Sequence, residues 1–404
     1  MGNTDISSEE KNTPNIAEIK HKGYIYNIKS RIVLKKILNN LKEKKILQII
    51  KCNKSIQKKI NYDIDNYRLF NEKLSIEIEI IPNKKEDSAF INIPNEEERA
   101  YYHIYFNNSQ EEVKSYYLND KVRVKKIKIK IDNQITSFSK LFYNCNCIES
   151  INFLKFYRKN ITDMDNMFYG CSSLKELNLS KFNTESVVNM SNMFRGCSSL
   201  KELDLSSFKT NNVTNMSFIF YRCLSAKNIN LSSFNTEKVT DMKCMFVGCY
   251  SLKELNLSHF DTKNVTNMSS MFDGCSSLKE LNIEGFDIKN VINMSSMFDG
   301  CSSLKELNIS YFDTYKVEDM SFMFRNCSSL KELKSLYFNT SAVKNMNSMF
   351  YGCSALKEID LSEFYINKKN KIYYMFGKCS DELKNKIKSK FILNNDAFLN
   401  YKEK

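Results

Sequence analysis

Histidine, proline, glycine and tryptophan are all scarce in this sequence of 404 residues, which has three histidines, three prolines, ten glycines and no tryptophan. His21, His103 and His259 stand on separate segments without the spacing of a zinc site or a catalytic triad, and no phosphate-binding glycine loop occurs. No apolar run is long enough to span a bilayer, and the N-terminal residues lack the apolar core of a secretion signal. These absences predict a non-enzymatic, cytoplasmic chain with no membrane contact, no cofactor and no metal site.

A concentrated patch of one charge sign is also lacking. The net charge is +13, but the excess of Lys and Arg is spread along the chain. In the central part the lysine just before the predicted strand is usually followed by a glutamate, as in Lys175 with Glu176 and Lys201 with Glu202. Because such pairs compensate each other, we predict no nucleic-acid partner.

The cysteines carry the dominant pattern. Ten of the 13 recur every 26 residues, from Cys145 to Cys379, without an insertion or a deletion. A fixed period of this length is typical of a solenoid, in which each repeat packs on its neighbours. One thiol per repeat forms a single column of parallel side chains, which suits neither disulfides nor a tetrahedral zinc site. We therefore interpret the cysteines as small apolar core residues.

Each 26-residue repeat is predicted to form one short parallel strand and one short helix. In the copy that begins at Cys171, the residues Leu177–Leu179 alternate apolar and polar, as in a strand. Met190, Met193 and Phe194 follow at the i, i+3, i+4 spacing of a helix.

The residues that flank this predicted helix fit its two ends. Asn189 and its equivalents precede the first methionine and are predicted N-caps. Gly196 and its equivalents follow the last turn, where a left-handed residue is expected, and Arg222 is the departure in that column. A further column contains Asp261, Asp287 and Asp313 and could bind calcium, but Asn and Lys in the same column favour turn-forming side chains.

The repeat resembles the BspA-like leucine-rich-repeat family of bacterial and protist proteins. In that family an LxxLxLSxFxTxxVxxMxxMFxGCxxL unit recurs, and the sequence from Leu174 to Leu200 reads LKELNLSKFNTESVVNMSNMFRGCSSL. The resemblance implies a leucine-rich-repeat fold and a role in recognition or adhesion, often at a cell surface.

An α+β fold is predicted, in which an N-terminal helical and β region leads into a solenoid of leucine-rich-repeat type. Alternating residues at 76–80, and the runs 89–93, 101–106 and 122–131, are predicted strands. The predicted segments are a tail at 1–28, a helical unit at 29–70, a small β region at 71–132, a nine-rung solenoid at 133–378 and a C-terminal capping helix at 379–404.

The helical unit resembles an F-box over residues 30–60, which read SRIVLKKILNNLKEKKILQIIKCNKSIQKKI. The resemblance rests on an apolar first helix, a leucine-containing turn and the Cys52–Lys54 segment, although no tryptophan follows. It implies that residues 29–70 dock a Skp1-like subunit of a ubiquitin ligase.

Two columns vary from repeat to repeat and are the candidate recognition surface, because they are free of the core pattern. Tyr and Arg are favoured in protein interfaces. The candidate partner-binding residues are Tyr169, Arg195, Tyr221, Arg325 and Tyr351 in one column and His259, Tyr311 and Tyr337 in the other.

The sequence predicts a monomeric, non-enzymatic scaffold that binds a protein partner through the solenoid. Two alternatives remain open at this point. One is an F-box-type substrate adapter, and the other is a BspA-like surface adhesin that reaches the cell surface by a route not visible in the sequence.

Overall fold

A computed structural model describes residues 55–56, 58, 74–83, 88–118, 123–132, 134–334, 339–360, 364–367, 369–390 and 392–401. The chain divides into two compact units, residues 1–73 and 74–404. The strands, turns and helices named below belong to the second unit. Nearly all of the predicted tail and helical unit lies outside the described residues, and so does the F-box interpretation.

A five-stranded sheet leads into the repeats. Its strands are β1 (Ile76–Pro82), β2 (Tyr102–Phe106), β3 (Ile127–Ile131), β4 (Ile148–Lys155) and β5 (Glu176–Asn178), and a short helix α1 (Glu96–Arg99) lies between β1 and β2. The order is β2-β3-β1-β4-β5, antiparallel except for the parallel pair of β4 and β5. The predicted strands near β1, β2 and β3 are confirmed, whereas of residues 89–93 only Ala89 makes a bridge.

The next six repeats each contribute a strand of three residues, as predicted. The strands are β6 (Glu202–Asp204), β7 (Asn228–Asn230), β8 (Glu254–Asn256), β9 (Glu280–Asn282), β10 (Glu306–Asn308) and β11 (Glu332–Lys334). β6 pairs in parallel with β7, β8 with β9 and β10 with β11, and paired residues are 26 apart, as Leu203 and Ile229 are. The central leucine or isoleucine of each strand is buried or packs partly buried against the core.

The predicted short helix of each repeat is wrong, because these residues form consecutive turns. The amide of Met193 donates to the carbonyl of Met190 at 3.2 Å, as in a tight turn. The next amide, that of Phe194, donates instead to the carbonyl of Ile219 in the following repeat at 2.9 Å. Amides thus bond alternately within the repeat and to the next one. In a helix every one of these amides would donate to a carbonyl of the same segment.

Positive φ angles at two positions of each repeat explain why the chain turns instead of coiling. Asn192 has φ 55° and Gly196 has φ 76°, and their equivalents follow them in the other repeats. The left-handed conformation predicted at the glycine column is therefore confirmed, and Arg222 adopts it with φ 56°. The predicted helix cap Asn189 instead closes a turn, since its Oδ1 accepts the amide of Ser191 at 3.0 Å.

These turns stack into a second parallel ladder. Single parallel bridges join residues 26 apart, from Ser137 to Asp163 and onward to Lys371. Beneath them the rings of Phe142 and its equivalents stack with centroids 5.3–5.8 Å apart as far as Phe376. The hydrophobic core therefore runs along the stack as columns of identical residues.

Buried threonines hold the segment between the strand and the turns. The Oγ1 of Thr210 donates to the carbonyl of Asn235 at 2.7 Å and accepts the Asn235 amide at 2.8 Å. Thr184 and Lys209 make the same reciprocal pair. The threonine of the repeat pattern is thus a bridge between repeats.

Both ends of the turn ladder are covered. At the first repeat, Asn92 donates its amide to the carbonyl of Leu141 at 2.7 Å and its Nδ2 to that of Tyr143 at 2.7 Å. At the last, the amides of Tyr374 and Phe376 donate to the carbonyls of Asp396 and Ala397 at 2.8 and 2.7 Å. Residues after the repeats therefore take the place of a further repeat.

Two short helices make up the C-terminal segment. Helix α2 (Asp381–Lys390) lies within the predicted capping helix at 379–404 and buries Leu383 and Ile387, and the Ser380 hydroxyl accepts the Leu383 amide at 3.2 Å. A 3-10 helix, η1 (Asn395–Phe398), carries Phe398 onto the ring of Phe376 at 5.9 Å. No described helix combines the length and apolar character needed to cross a membrane.

Candidate recognition surface

One varied column lies directly before the positive-φ glycines and forms the edge of the turn ladder. We call it the edge column. The turns fix its backbone, because from Tyr169 onward each carbonyl accepts a backbone amide from the previous repeat, as Arg195 does from Gly170 at 2.7 Å. Its side chains remain free to vary. The edge column consists of Tyr143, Tyr169, Arg195, Tyr221, Val247, Asp273, Asp299, Arg325 and Tyr351.

The first half of the edge column is a continuous aromatic and cationic stack. The rings of Tyr143 and Tyr169 lie 4.7 Å apart and 15° from parallel. The guanidinium of Arg195 lies 5.3 Å from the Tyr169 ring centroid and 4.4 Å from that of Tyr221. It also lies 5.0 Å from the ring of Phe218. Three predicted residues, Tyr169, Arg195 and Tyr221, therefore come together and hold one another in place.

The second half of the edge column is committed to contacts within the chain. The Nε of Arg325 donates to Oδ2 of Asp299 at 2.8 Å, and this carboxylate side chain is nearly buried. The buried Tyr351 ring lies 4.4 Å from that of Tyr401. Arg325 and Tyr351, both predicted to bind a partner, thus make contacts within the chain, and their role in binding stays a prediction.

Asp273 lies at the junction of the two halves. Burial raises the pKa of its carboxyl from 3.8 to about 6, and the neighbouring Asp299 adds to this effect while Arg325 opposes it. Burial also raises the pKa of Asp299, against the opposing hydrogen bond from Arg325. This part of the edge therefore changes charge in mildly acidic solution.

The second varied column partly serves to join repeats. Ser207 and Ser233 donate their hydroxyls to the carbonyls of Leu179 and Leu205, both at 3.0 Å. In the next repeat His259 makes the equivalent bond, with Nε2 3.0 Å from the carbonyl of Leu231. That nitrogen must carry the proton, since a carbonyl only accepts.

Of the two tyrosines predicted in this column, the structure describes Tyr311 but not Tyr337. Tyr311 is partly buried, its ring packs edge-on against Phe312 at 5.5 Å, and burial raises the pKa of its phenol to about 12. Tyr337 lies outside the described residues.

A surface cavity of about 330 Å³ opens beside the first copies of this column. Arg158 stands there where later repeats have a bridging threonine, and an arginine has no acceptor for the amide of Asn183. The cavity is lined by Phe156, Tyr157, Ser180, Lys181, Phe182, Asn183, Ser207 and Lys209. Its lysines and aromatic rings offer binding but no acid–base pair.

The cysteines that the structure describes are all buried. Burial raises the pKa of Cys171 to about 12 and keeps that of its equivalents well above the ordinary value. Among the described residues, no group of three or more His, Cys, Asp and Glu side chains could hold a metal ion. The aspartate column closes turns, as Asp261 does by accepting the amide of Lys263 at 3.1 Å.

Sequence reasoning missed three residues of the edge. Tyr143 was assigned to the start of the solenoid without a role, although it stands 26 residues before Tyr169. Phe218, which lies beside this column, was given no role, and the mixed residue types at its equivalent positions, which include Phe322 and Tyr374, gave no clear signal. Tyr401 gave no signal, since its contact with Tyr351 joins distant parts of the chain.

Two family models match the chain. One, described as Mycoplasma protein of unknown function, DUF285, matches residues 136–254, 240–358 and 304–395. The other, described as BspA type leucine rich repeat region in 6 copies, matches residues 69–188 and so extends into the five-stranded sheet. No curated protein and no solved structure matches the chain.

Proposed function

Because the chain belongs to the family described as Mycoplasma protein of unknown function, DUF285, and carries a BspA type leucine-rich-repeat region, we propose that its repeats form a solenoid scaffold that binds a protein partner. Stacked repeats create an extended surface whose exposed positions can vary without disturbing the core. Binding through that surface requires no chemistry of the chain's own.

The observation that carries this proposal is the stack of Tyr169, Arg195 and Tyr221 on the edge column. All three side chains are partly exposed, and the repeat pattern does not require them. Tyrosine and arginine are the residue types that contribute most to protein interfaces. Because these side chains are already ordered by one another, a partner that binds them loses little side-chain entropy.

A non-enzymatic role is supported by the state of the candidate nucleophiles. The thiols of the cysteine column donate hydrogen bonds to buried carbonyls, and burial raises their pKa, so the reactive thiolate is disfavoured. The F-box adapter role of residues 29–70 and the surface adhesin role both stay predictions, as do the monomeric state, the cytoplasmic location and the lack of a nucleic-acid partner.

Affinity capture with edge variants tests the proposal. The tagged full-length chain is expressed in its native cell, and proteins that bind it are identified by mass spectrometry, purified and measured by calorimetry. The control removes three exposed lysines that precede the strands. The edge variant carries Tyr169→Ser, Arg195→Ser and Tyr221→Ser, and the control variant carries Lys279→Ser, Lys305→Ser and Lys331→Ser.

We expect a purified partner to bind the wild-type chain and the control with similar affinity and to bind the edge variant at least about tenfold more weakly, a loss of about 1.4 kcal/mol. Circular dichroism checks that all three proteins fold alike. If every captured protein binds the edge variant as tightly as the wild type, the edge is not the recognition surface.

A further inference from the structure

Three cations without an acidic partner lie near aromatic rings on the edge column or beside it. Arg195 lies between two tyrosine rings, Arg222 lies 5.8 Å from the centroid of Tyr221, and Lys243 lies 5.9 Å from that of Phe218. Within the part of the chain that the structure describes, none of the three forms a salt bridge. We call Tyr169, Arg195, Phe218, Tyr221, Arg222 and Lys243 the cationic-aromatic patch.

Some lysines elsewhere on the repeats are paired with a glutamate of the neighbouring repeat. Lys175 lies 2.8 Å from Glu149, and Lys344 lies 2.7 Å from Glu318. A glutamate 26 residues before a lysine lies beside it in the neighbouring repeat and neutralises its charge. In the patch this arrangement is not used.

The guanidinium of Arg195 keeps most of its hydrogen-bonding capacity. Its Nη1 donates to Oδ1 of Asn192 at 3.2 Å. A guanidinium has five N–H donors in one plane, and the rings on either side hold that plane in a fixed orientation. Donors arranged in a fixed plane suit a carboxylate, which can accept two of them at once.

We propose that the cationic-aromatic patch binds an acidic segment of the partner, whose Asp or Glu carboxylates pair with Arg195, Arg222 and Lys243. The inference rests on the proposed function and names the chemistry of the partner. The three cations belong to successive repeats, which are roughly 4.8 Å apart in a parallel stack. They therefore span about 10 Å, the length of three or four residues of an extended chain.

The same features argue against a single-stranded nucleic acid. Bases bind such surfaces by stacking on exposed aromatic faces. Here Tyr169 lies between the ring of Tyr143 and Arg195, and Tyr221 lies between Arg195 and Arg222. Both rings therefore already have two stacking or cationic neighbours within the chain, which leaves less ring surface for a base. Asp273 farther along the edge would also repel a continuing phosphate backbone.

Fluorescence polarisation with defined probes tests the proposal on the full chain. The probe is a fluorescein-labelled peptide of eight glutamates flanked by glycines. A peptide with eight glutamines replaces it as the uncharged control, and an oligothymidylate of eight nucleotides is the competing polyanion. Binding is measured at about 50 and 150 mM salt, since exposed charge pairs weaken as salt screens them.

Single substitutions locate the binding. Arg195→Gln is expected to weaken binding of the glutamate peptide about tenfold, the usual value of a charge-assisted hydrogen bond. Arg222→Glu, at an exposed position, is expected to weaken it at least as much and serves if Arg195→Gln is poorly folded. Lys305→Gln removes one exposed charge from another column and is the matched control, with an expected change below about twofold.

Each outcome decides the proposal. Binding of the glutamate peptide that falls with Arg195→Gln and Arg222→Glu but not with Lys305→Gln supports it. Equal losses in all three variants, no binding of the peptide, or equal binding of the glutamine peptide would overturn it. So would tighter, Arg195-dependent binding of oligothymidylate. A captured partner that needs the edge but carries no acidic segment would leave the scaffold function standing and refute only the acidic chemistry.

Discussion

The thiol of Cys301 donates a hydrogen bond to the carbonyl oxygen of Phe272, 3.3 Å away in the preceding repeat. The same carbonyl already accepts the amide of Cys275 at 3.1 Å. A carbonyl oxygen has two lone pairs, and the thiol uses the second one where no water reaches. Nine cysteines make this bond, from Cys171 to Cys379. The column therefore needs a small side chain that is both apolar and a weak donor.

The cysteine column is expected to resist alkylation in the native protein. Burial raises the pKa of Cys171 to about 12, so its thiolate is negligible at pH 8.5, where an ordinary cysteine is about half ionised. Native protein treated with iodoacetamide at that pH and analysed by peptide mapping should show no label on the column.

Unfolding in guanidinium provides the control for this experiment. All column cysteines should then be labelled within the same reaction time. Labelling of Cys301 under native conditions at a rate close to that of a free cysteine peptide would contradict the buried, hydrogen-bonded thiol.

In the glycine column, the stability cost of a substitution should depend on how well the new residue tolerates positive φ. Gly300 has φ 68°, and a Cβ there would have ordinary space beside Gly274. The cost of Gly300→Ala is thus mainly conformational, about 1–2 kcal/mol. Gly300→Asn should cost less, because Asn occupies the same column at Asn144 and Asn326 with φ 54° and 59°. Equal melting temperatures for the Ala and Asn variants would contradict this explanation.

Because of Asp273, the folded chain should become less stable as the pH rises. Its folded pKa of about 6 exceeds the ordinary value of 3.8, so the folded state holds more protons between these values and stability falls as pH rises through this window. Asp273→Asn removes the penalty. Its melting temperature should exceed that of the wild type at pH 7.5, by an amount worth about 1 kcal/mol because the partly exposed group is screened. At pH 3.5 the difference should vanish.

Asp313→Asn makes the same change of charge at an exposed turn and is the control for this prediction. Its side chain accepts the amide of Tyr315 at 3.3 Å, and asparagine can do the same. The control should melt like the wild type at both pH values. A gain for Asp273→Asn that is equal at pH 3.5 and 7.5 would show that charge is not its cause.

The sequence predicted those features of the repeat that depend on one residue and its immediate neighbours. Alternation at Leu177–Leu179 predicted a strand, and the glycine column predicted positive φ. The helix prediction failed because Met190, Met193 and Phe194 have a spacing that one helix and two consecutive turns satisfy equally. The choice depends on whether an amide bonds within the repeat or to the next repeat, and a local pattern does not contain that information.

The candidate surface could be predicted only in part for a similar reason. Variation in a column was taken as freedom from structural constraint. Ser207 and His259 vary in type, yet both donate to a backbone carbonyl of the preceding repeat. Tyr351 lies under Tyr401, a contact that no periodicity encodes. Of the predicted residues, Tyr169, Arg195 and Tyr221 lie in contact with one another and are partly exposed, as expected for a binding surface.

The C-terminal segment is expected to stabilise the last repeat and to keep its ladder edge from pairing with a second chain. It supplies acceptors for the amides of Tyr374 and Phe376 and places Phe398 on the Phe376 ring. Truncation before Ile392 removes these contacts and should lower the free energy of unfolding by about 3 kcal/mol.

The uncovered ladder edge should also pair with another chain, as open strand edges do. Light scattering should then detect concentration-dependent association, whereas a chain ending at Tyr401 should remain like the wild type. A truncated chain with unchanged melting and mass would show that the ladder needs no cover.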